Sequence, residues 1–138
     1  MPINSKILEE LIQPHLLRLK PYSSARSEYE GQASVFLDAN EHPIDSGLNR
    51  YPDPLQKALK RELALQKGVR PEQVFLGNGS DEAIDLLIRL FCRPGIDEIV
   101  ILPPTYGMYQ VAATISNVRV REVLLGPDFQ PDPAEILA

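Results

Sequence analysis

The sequence contains no tryptophan, one cysteine and two histidines in 138 residues. A single thiol cannot form a disulfide within the chain, which excludes a disulfide-stabilised scaffold and suits a reducing compartment. Cys92 follows Phe91 in an apolar helical pattern, so we expect it to pack as a small hydrophobic residue. Neither His15 nor His42 has a Cys or His partner at metal-ligand spacing, and we therefore expect no metal site.

Long apolar runs and blocks of like charge are also missing. No apolar segment approaches the ~18 residues of a membrane span, and the N-terminus lacks the charged and apolar stretches of a signal peptide. The net charge is −5, from 14 basic and 19 acidic side chains, with no basic patch for nucleic acid. These absences favour a cytoplasmic protein with neither a membrane nor a nucleic-acid partner. The hydrophobic content of 43% is enough for a core.

The second half of the sequence alternates short apolar segments with helical patterns. We predict strands at residues 74–76, 98–102 and 118–125, with one helix capped by Ser80 and another over residues 105–116. Spacing of this kind is typical of parallel strands joined by right-handed crossovers. The predicted fold class is therefore α/β, with a partial parallel βαβαβ sheet.

The first half of the sequence is more irregular. Residues 5–19 show roughly helical apolar spacing that Pro14 interrupts, which predicts one or two short helices. Residues 35–37 suggest a short strand, and the polar, proline-containing segment 38–52 suggests a long loop. A loop of that length without its own secondary structure is usually functional or a linker.

A clearer helix follows this loop. Asp53 is placed to cap it, Gln56 to complete a capping box, and Gly68 to end it. We accordingly expect two parts: an N-terminal arm and loop over residues 1–52, and an incomplete α/β domain over residues 53–138.

One glycine-containing segment has the properties of a phosphate-binding turn. Residues 77–82 (GNGSDE) connect the strand predicted at 74–76 to the next helix. Backbone N–H groups at a helix start, reinforced by the helix dipole, favour an anion there. The alternative is an ordinary glycine turn in which Ser80 only caps the helix. The carboxylate of Asp81 would repel a phosphate, so it is expected to point elsewhere or to cap the helix.

A second segment is expected at the same edge of the sheet. Residues 103–109 (PPTYGMY) follow the next parallel strand, so Tyr106 should lie near the glycine turn. An aromatic ring there could stack on a flat cofactor, although packing is the commoner role of an aromatic residue at a helix start. In the long loop, residues 49–52 (NRYP) supply hydrogen-bond donors and the phenol of Tyr51.

Together these segments resemble the histidinol-phosphate aminotransferases, in the order and at the spacing of that family. The match rests on residues 19–26 (LKPYSSAR), 37–43 (LDANEHP), 49–52 (NRYP), 71–74 (PEQV), 79–82 (GSDE) and 103–109 (PPTYGMY). The last string is the most specific, whereas the Arg-Tyr-Pro and Gly-Ser-Asp-Glu strings are shared more widely among aminotransferases of this fold type. The resemblance implies a fold-type I enzyme of histidine biosynthesis that uses pyridoxal 5′-phosphate.

The resemblance also implies roles for individual residues. Gly79, Ser80 and Asp81 would seat the cofactor phosphate, chiefly through backbone N–H groups. Tyr106 would stack on the pyridine ring. Tyr51 would reach the cofactor phosphate of the other subunit of a homodimer.

On the substrate side, Tyr22 and Asn40 would line the cleft that takes histidinol phosphate and glutamate or 2-oxoglutarate. The family's Schiff-base lysine, its Asp facing the pyridine nitrogen and its substrate-binding Arg come later in the family's sequences than Ala138. None of the lysines present matches the catalytic position: Lys6, Lys20, Lys57, Lys60 and Lys67. We therefore assign no catalytic residue, and we expect these 138 residues to be the N-terminal part of a longer enzyme.

Three alternatives stay open at this point. An aromatic aminotransferase and a threonine-phosphate decarboxylase share the Arg-Tyr-Pro region, and a non-catalytic module could use only the dimer surface or the phosphate seat. The Thr-Tyr-Gly-Met-Tyr string at residues 105–109 favours histidinol phosphate over the other two substrates.

We predict that the 138-residue chain alone has no transaminase activity, because the lysine that such chemistry requires is absent from it. The measurement is glutamate consumption in the presence of pyridoxal phosphate and the keto partner of histidinol phosphate. Turnover well above that of the free cofactor in solution would contradict the prediction.

Overall fold

The computed structural model describes residues 5–29, 31 and 33–138. Helices and a parallel strand pair confirm the predicted α/β class. The chain forms two compact units: the N-terminal segment up to Leu19 packs with Gly77–Ala138, and Lys20–Leu76 forms the other. The expected division into residues 1–52 and 53–138 stays a prediction.

The sheet of the first unit consists of two parallel strands, β1 (Glu98–Ile101) and β2 (Arg119–Glu122). Glu98 lies opposite Arg119 and Ile101 opposite Glu122 in the register. Parallel strands need a crossover connection, and here it contains a helix over residues 108–115. The ladder continues past the strands, because the backbone N–H of Val123 donates to the Ile101 carbonyl at 3.0 Å.

The core of this unit lies between the two long helices that flank β1 in sequence. Helix α5 (Gly79–Phe91) contributes buried Ile88, and helix α6 (Met108–Ile115) contributes buried Ala112 and Ala113. Ala113 is 0% exposed. Two consecutive small side chains let α6 approach its neighbours closely, and the cost is that the site has no room for a larger residue.

An ion pair holds the connection between α5 and β1. The backbone N–H of Arg93 donates to Asp97 at 2.6 Å, and the Arg93 guanidinium donates to both carboxylate oxygens of Asp97. These hydrogen bonds lower the pKa of Asp97 to about 2, and the bonds from the guanidinium contribute more than the bond from the backbone N–H. Within the same connection, the N–H of Gly95 donates to the Asn117 carbonyl at 2.6 Å. The start of β1 is thereby held beside the start of β2.

The N-terminal segment forms two short helices, α1 (Ser5–Leu11) and α2 (Pro14–Leu17), so Pro14 restarts the helix as predicted. Between them, the side-chain amide of Gln13 donates to the carbonyls of Arg89 at 2.6 Å and Cys92 at 2.8 Å. The last carbonyls of a helix lack intrahelical donors. Gln13 therefore satisfies the end of α5 and attaches the N-terminal segment to it.

Near the other end of the chain, α7 (Pro133–Leu137) is capped by the side chain of Asp132, which accepts from the Ala134 N–H at 2.8 Å. The Arg121 guanidinium donates to the carbonyls of Glu135 and Ile136 at 3.0 and 2.7 Å. A cation at a helix C-terminus is favourable because the helix dipole is negative there. Arg121 thus joins α7 to β2.

The second unit contains α3 (Ala25–Glu28), α4 (Lys57–Lys67) and a 3₁₀ turn (Pro71–Gln73). Gly68 ends α4 in the left-handed conformation (φ 65°), as the sequence predicts. None of the helices in the described ranges has the length and apolar character needed to cross a bilayer.

The helix expected from Asp53 is shorter than predicted. Helix α4 begins at Lys57, because Gln56 adopts a left-handed conformation with φ 48° that no helix can include. The carboxylate of Asp53 nevertheless accepts from the backbone N–H groups of Leu55 and Lys57 at 2.9 and 2.8 Å. Asp53 therefore accepts from the first N–H of α4, but the N-cap position is Gln56, whose side chain makes no capping bond, so the predicted capping box is wrong.

Two strand predictions are wrong. Residues 35–37 and 74–76 are not strands in the structure, and within the described part of the chain the sheet has two strands rather than three. Both segments have the β-branched and aromatic composition of strands, but a strand also needs a neighbour to pair with. Neither segment pairs with another in the described residues. The strands predicted at 98–102 and 118–125 and the helix predicted at 105–116 hold with ends that are up to three residues shorter, whereas the helix predicted from Ser80 begins earlier, at Gly79.

We predict that Ala113→Leu lowers the free energy of unfolding by about 1–3 kcal/mol, because the larger side chain overpacks a filled site. Val111→Leu is the matched control, since it adds bulk at an exposed position of the same helix. Urea denaturation followed by circular dichroism measures both. Equal stability of the two variants would show that the core around Ala113 can expand.

Candidate functional site

The turn before α5 has the backbone geometry of an anion site. Helix α5 begins at Gly79 and its N-cap is Asn78, so Ser80 is the second helical residue and not the cap that we predicted. Gly79 has φ 76°, which glycine adopts without strain, and no atom would lie within 4 Å of a Cβ added there. The backbone N–H groups of Ser80 and Asp81 belong to the first turn, where a helix offers them no internal acceptor.

The side chain of Asn78 makes no capping hydrogen bond to the helix and donates instead to Glu82. The Glu82 carboxylate accepts from the backbone N–H of Asn78 and, at 3.1 Å, from its side-chain amide. Both hydrogen bonds run from Asn78 to one oxygen of Glu82, so they hold Asn78 in place and leave the first N–H groups of α5 without a side-chain acceptor. The Ser80 hydroxyl lies on the exposed surface of the turn.

The same turn contacts the segment that follows β1. The phenol of Tyr106 donates to the Asp81 carboxylate at 3.3 Å. The carboxylate of Asp81 therefore points toward Tyr106, in agreement with our expectation that it would point away from a bound anion or cap the helix. Two segments that the sequence placed at one edge of the sheet lie in contact within a single compact unit.

The aromatic ring of Tyr106 packs against that of Tyr109. Its centroid lies 6.3 Å from that of Tyr109, with an interplanar angle of 86°, which is an edge-to-face arrangement. Tyr106 is 54% exposed. Its pKa is raised above the ordinary value, first by the hydrogen bond to Asp81 and then by burial. At neutral pH the phenol is protonated and available as a donor.

The other predicted site residues lie in the second unit. Tyr51 is 64% exposed, Tyr22 is 93% exposed and Asn40 is exposed as well. Within the described residues, their side chains make no contact that assigns a role to them individually. The backbone of Tyr51, in contrast, is held by a buried acid, Glu41.

Glu41 is the centre of an ion cluster that the sequence did not lead us to expect. Its side chain is 4% exposed and lies between two arginines. Arg26 donates to its two oxygens at 2.7 and 3.2 Å, Arg50 donates at 2.6 Å, and the Tyr51 N–H donates at 2.8 Å. Arg26 also forms a bidentate pair with Asp38, at 2.7 and 3.0 Å.

The aromatic ring of Phe36 belongs to the same group. The guanidinium carbons of Arg26 and Arg50 lie 4.8 and 5.7 Å from its centroid, within the range of cation–π contacts. We call Arg26, Phe36, Asp38, Glu41 and Arg50 the Glu41 cluster. Its two acids balance its two bases, so it can bury a carboxylate without a net charge.

The hydrogen bonds of the cluster set the charge state of its carboxylates. The bonds from Arg26, Arg50 and the Tyr51 N–H, in that order, lower the pKa of Glu41 to about 2. Asp38 has a lowered pKa, chiefly because of Arg26, and the pKa of Arg26 is raised in turn. All four groups are charged at neutral pH.

We predict that Asp81→Asn lowers the pKa of one tyrosine toward its ordinary value, because the carboxylate that disfavours the phenolate is removed. The measurement is an NMR pH titration with ¹³Cζ-labelled tyrosine, in which five phenols are observed. Asp85→Asn is the control, since Asp85 pairs with Arg89 on the same helix. If Asp81→Asn leaves every tyrosine titration unchanged, the Asp81–Tyr106 contact is absent in solution.

Comparison with known proteins identifies the family of this chain. The sequence model of the family described as aminotransferase class I and II matches residues 25–138. The chain is 60% identical over 134 residues to the histidinol-phosphate aminotransferase of Bacteroides fragilis, covering 96% of this chain and 39% of that protein. It is 57% identical over 132 residues to the enzyme of that name from Parabacteroides distasonis, covering 96% of this chain and 38% of the relative.

A more distant relative gives the same result. The histidinol-phosphate aminotransferase of Flavobacterium johnsoniae is 49% identical over 138 residues, covering 98% of this chain and 40% of its own length. The chain thus spans about 39% of the length of the curated relatives it matches. Because the family model matches most of the chain, the protein belongs to the aminotransferase class I and II family.

Proposed function

We propose that the enzyme to which these residues belong is a histidinol-phosphate aminotransferase, which exchanges an amino group between histidinol phosphate and 2-oxoglutarate or glutamate. The relatives carry this name at 49–60% identity. The strings at residues 37–43 and 103–109 support the same assignment. The single cysteine supports our further proposal that the enzyme acts in the reducing cytoplasm.

The observation that carries the proposal is the contact between Asp81 and Tyr106. The Tyr106 phenol oxygen lies 3.3 Å from the Asp81 carboxylate oxygen. This contact places an exposed aromatic ring beside the unpaired N–H groups at the start of α5. A phosphate and a flat ring are the two ends of pyridoxal phosphate, the cofactor of this family. The residues present therefore fit that cofactor.

In this proposal, Gly79, Ser80 and Asp81 hold the phosphate. The open space at Gly79 lets an anion approach the backbone, and the N–H groups and helix dipole favour its charge. The Asp81 carboxylate is directed to Tyr106, so its backbone N–H can donate while its charge faces away. The ring of Tyr106 covers one face of the cofactor and holds it in orientation.

When bound, pyridoxal phosphate supplies the electron-withdrawing ring that amino transfer requires. The residues of this chain supply binding and orientation, since the lysine of the family is not among them. Tyr51 is proposed to donate from its exposed phenol to the cofactor phosphate of the other subunit of a homodimer. A bond from a phenol to a doubly charged phosphate is charge-assisted and stronger than a neutral one. Tyr22 and Asn40 are proposed to line the substrate cleft.

We predict that the complete enzyme prefers histidinol phosphate to phenylalanine by on the order of 100-fold in kcat/KM, because charge-assisted hydrogen bonds to the substrate phosphate are absent for phenylalanine. The measurement is the formation of glutamate from 2-oxoglutarate with each amino donor. Threonine phosphate, assayed for release of carbon dioxide, tests the decarboxylase alternative. A higher kcat/KM for phenylalanine, or decarboxylation of threonine phosphate, would contradict the assignment.

A further inference from the structure

The Glu41 carboxylate closes a loop. Residues 42–50 contain no helix or strand in the structure. Glu41 lies at the start of this loop, and it accepts hydrogen bonds from the Arg50 side chain and the Tyr51 backbone at the loop's end. One buried carboxylate therefore brings the two ends of the loop together.

Other hydrogen bonds of the loop are local. The N–H of Gly47 donates to Asp45 at 3.0 Å, and the amide of Asn49 donates to the His42 carbonyl at 3.2 Å. These bonds shape the loop without attaching it to the rest of the unit. Glu41 provides one attachment, because Arg26 of helix α3 donates to the same carboxylate, and the contact of Arg50 with the Phe36 ring provides another.

The two ends of Tyr51 have opposite environments. Its backbone N–H donates to a carboxylate that is 4% exposed, whereas the residue as a whole is 64% exposed. A residue with a fixed backbone and a side chain in solvent can present its phenol at a defined place. The ordering of such a group before binding reduces the entropy lost on binding.

We propose that Glu41 is a positioning residue, which closes the loop over residues 42–50 and fixes the backbone of Tyr51 so that its phenol is presented for binding the cofactor phosphate. The inference rests on the proposed function, in which Tyr51 makes that contact. Glu41 itself does not touch the cofactor in this proposal and acts through Tyr51. Arg26 holds Glu41, and Phe36 supports both guanidinium groups.

The first experiment uses the 138-residue chain with selective ¹⁵N-tyrosine labelling, which yields five backbone amides. Tyr51→Phe assigns the amide of Tyr51. In Glu41→Gln, hydrogen exchange at the Tyr51 amide should accelerate by roughly ten-fold or more, since a charge-assisted bond is replaced by a weaker neutral one. The amides of Tyr106 and Tyr109 should exchange as in wild type.

Glu72→Gln is the matched control. Glu72 pairs with Arg70 at 3.8 Å in the same unit, with both side chains about three-quarters exposed. This variant should leave the Tyr51 amide unchanged. Unaltered Tyr51 exchange in Glu41→Gln, or equal acceleration in both variants, would overturn the positioning role.

A measurement on the wild-type chain covers the case in which Glu41→Gln does not fold. The Tyr51 amide shift should follow one acidic titration whose midpoint lies well below 4.5, the usual pKa of a glutamate. The charged groups facing Glu41 are Arg26 and Arg50, with Asp38 beyond Arg26. A Tyr51 shift that titrates near 4.5 would overturn the contact.

The second experiment measures the dissociation constant of pyridoxal phosphate in the complete enzyme by absorbance. Tyr51→Phe and Glu41→Gln should each weaken binding by about ten-fold, the worth of one charge-assisted hydrogen bond. The double variant should bind no more weakly than Tyr51→Phe alone, because Glu41 acts through that phenol. If the loss of affinity in the double variant equals the product of the two single losses, Glu41 acts independently of Tyr51 and the inference is overturned.

The two proposals fail in different ways. Unchanged affinity in Tyr51→Phe would refute the contact between Tyr51 and the cofactor, and the functional part of this inference with it. A loss in Tyr51→Phe without any loss in Glu41→Gln would leave the proposed function standing and refute the role of Glu41.

Discussion

The parallel pairing of β1 with β2 is the constraint on which the candidate cofactor site depends. A parallel pair cannot be joined by a tight turn, so the chain leaves the carboxyl end of β1 and crosses back through α6. Buried Ala112 and Ala113 allow that helix to pack closely. The segment that leaves β1 is thereby directed toward the start of α5, and there Tyr106 contacts Asp81.

The sequence predicted this part of the fold because its determinants are local and periodic. The apolar run at residues 98–102, the helical spacing on either side of it and the glycine turn before α5 each have a recognisable pattern. Residues 74–76 are as apolar as residues 99–101 of β1 but form no strand. Composition shows that a segment can be a strand, whereas pairing depends on a second segment whose position the local pattern does not contain.

The parts of the fold and of the site that could not be predicted depend on side-chain contacts that no local pattern indicates. Gln13 reaches the carbonyls of Arg89 and Cys92, more than seventy positions away in sequence. Glu41 forms ion pairs with Arg26, which precedes it in the sequence, and with Arg50, which follows it. Such contacts have no periodicity, and each residue alone resembles an ordinary polar surface residue. The resemblance strings at residues 19–26, 37–43 and 49–52 contain the charged members of the Glu41 cluster, and they are the one feature that could have indicated it.

The charges of the Glu41 cluster determine the pH range in which its ion pairs hold the loop closed. The folded pKa of Glu41 is about 2, below its usual 4.5, so its contribution to stability is fully present above pH 4.5. That contribution is lost as the pH falls from 4.5 toward 2, because protonation removes the charge that both arginines require. Across the neutral range the carboxylate is ionised and the loop is closed. The cluster is therefore a permanent structural restraint on Tyr51 rather than a pH-dependent switch.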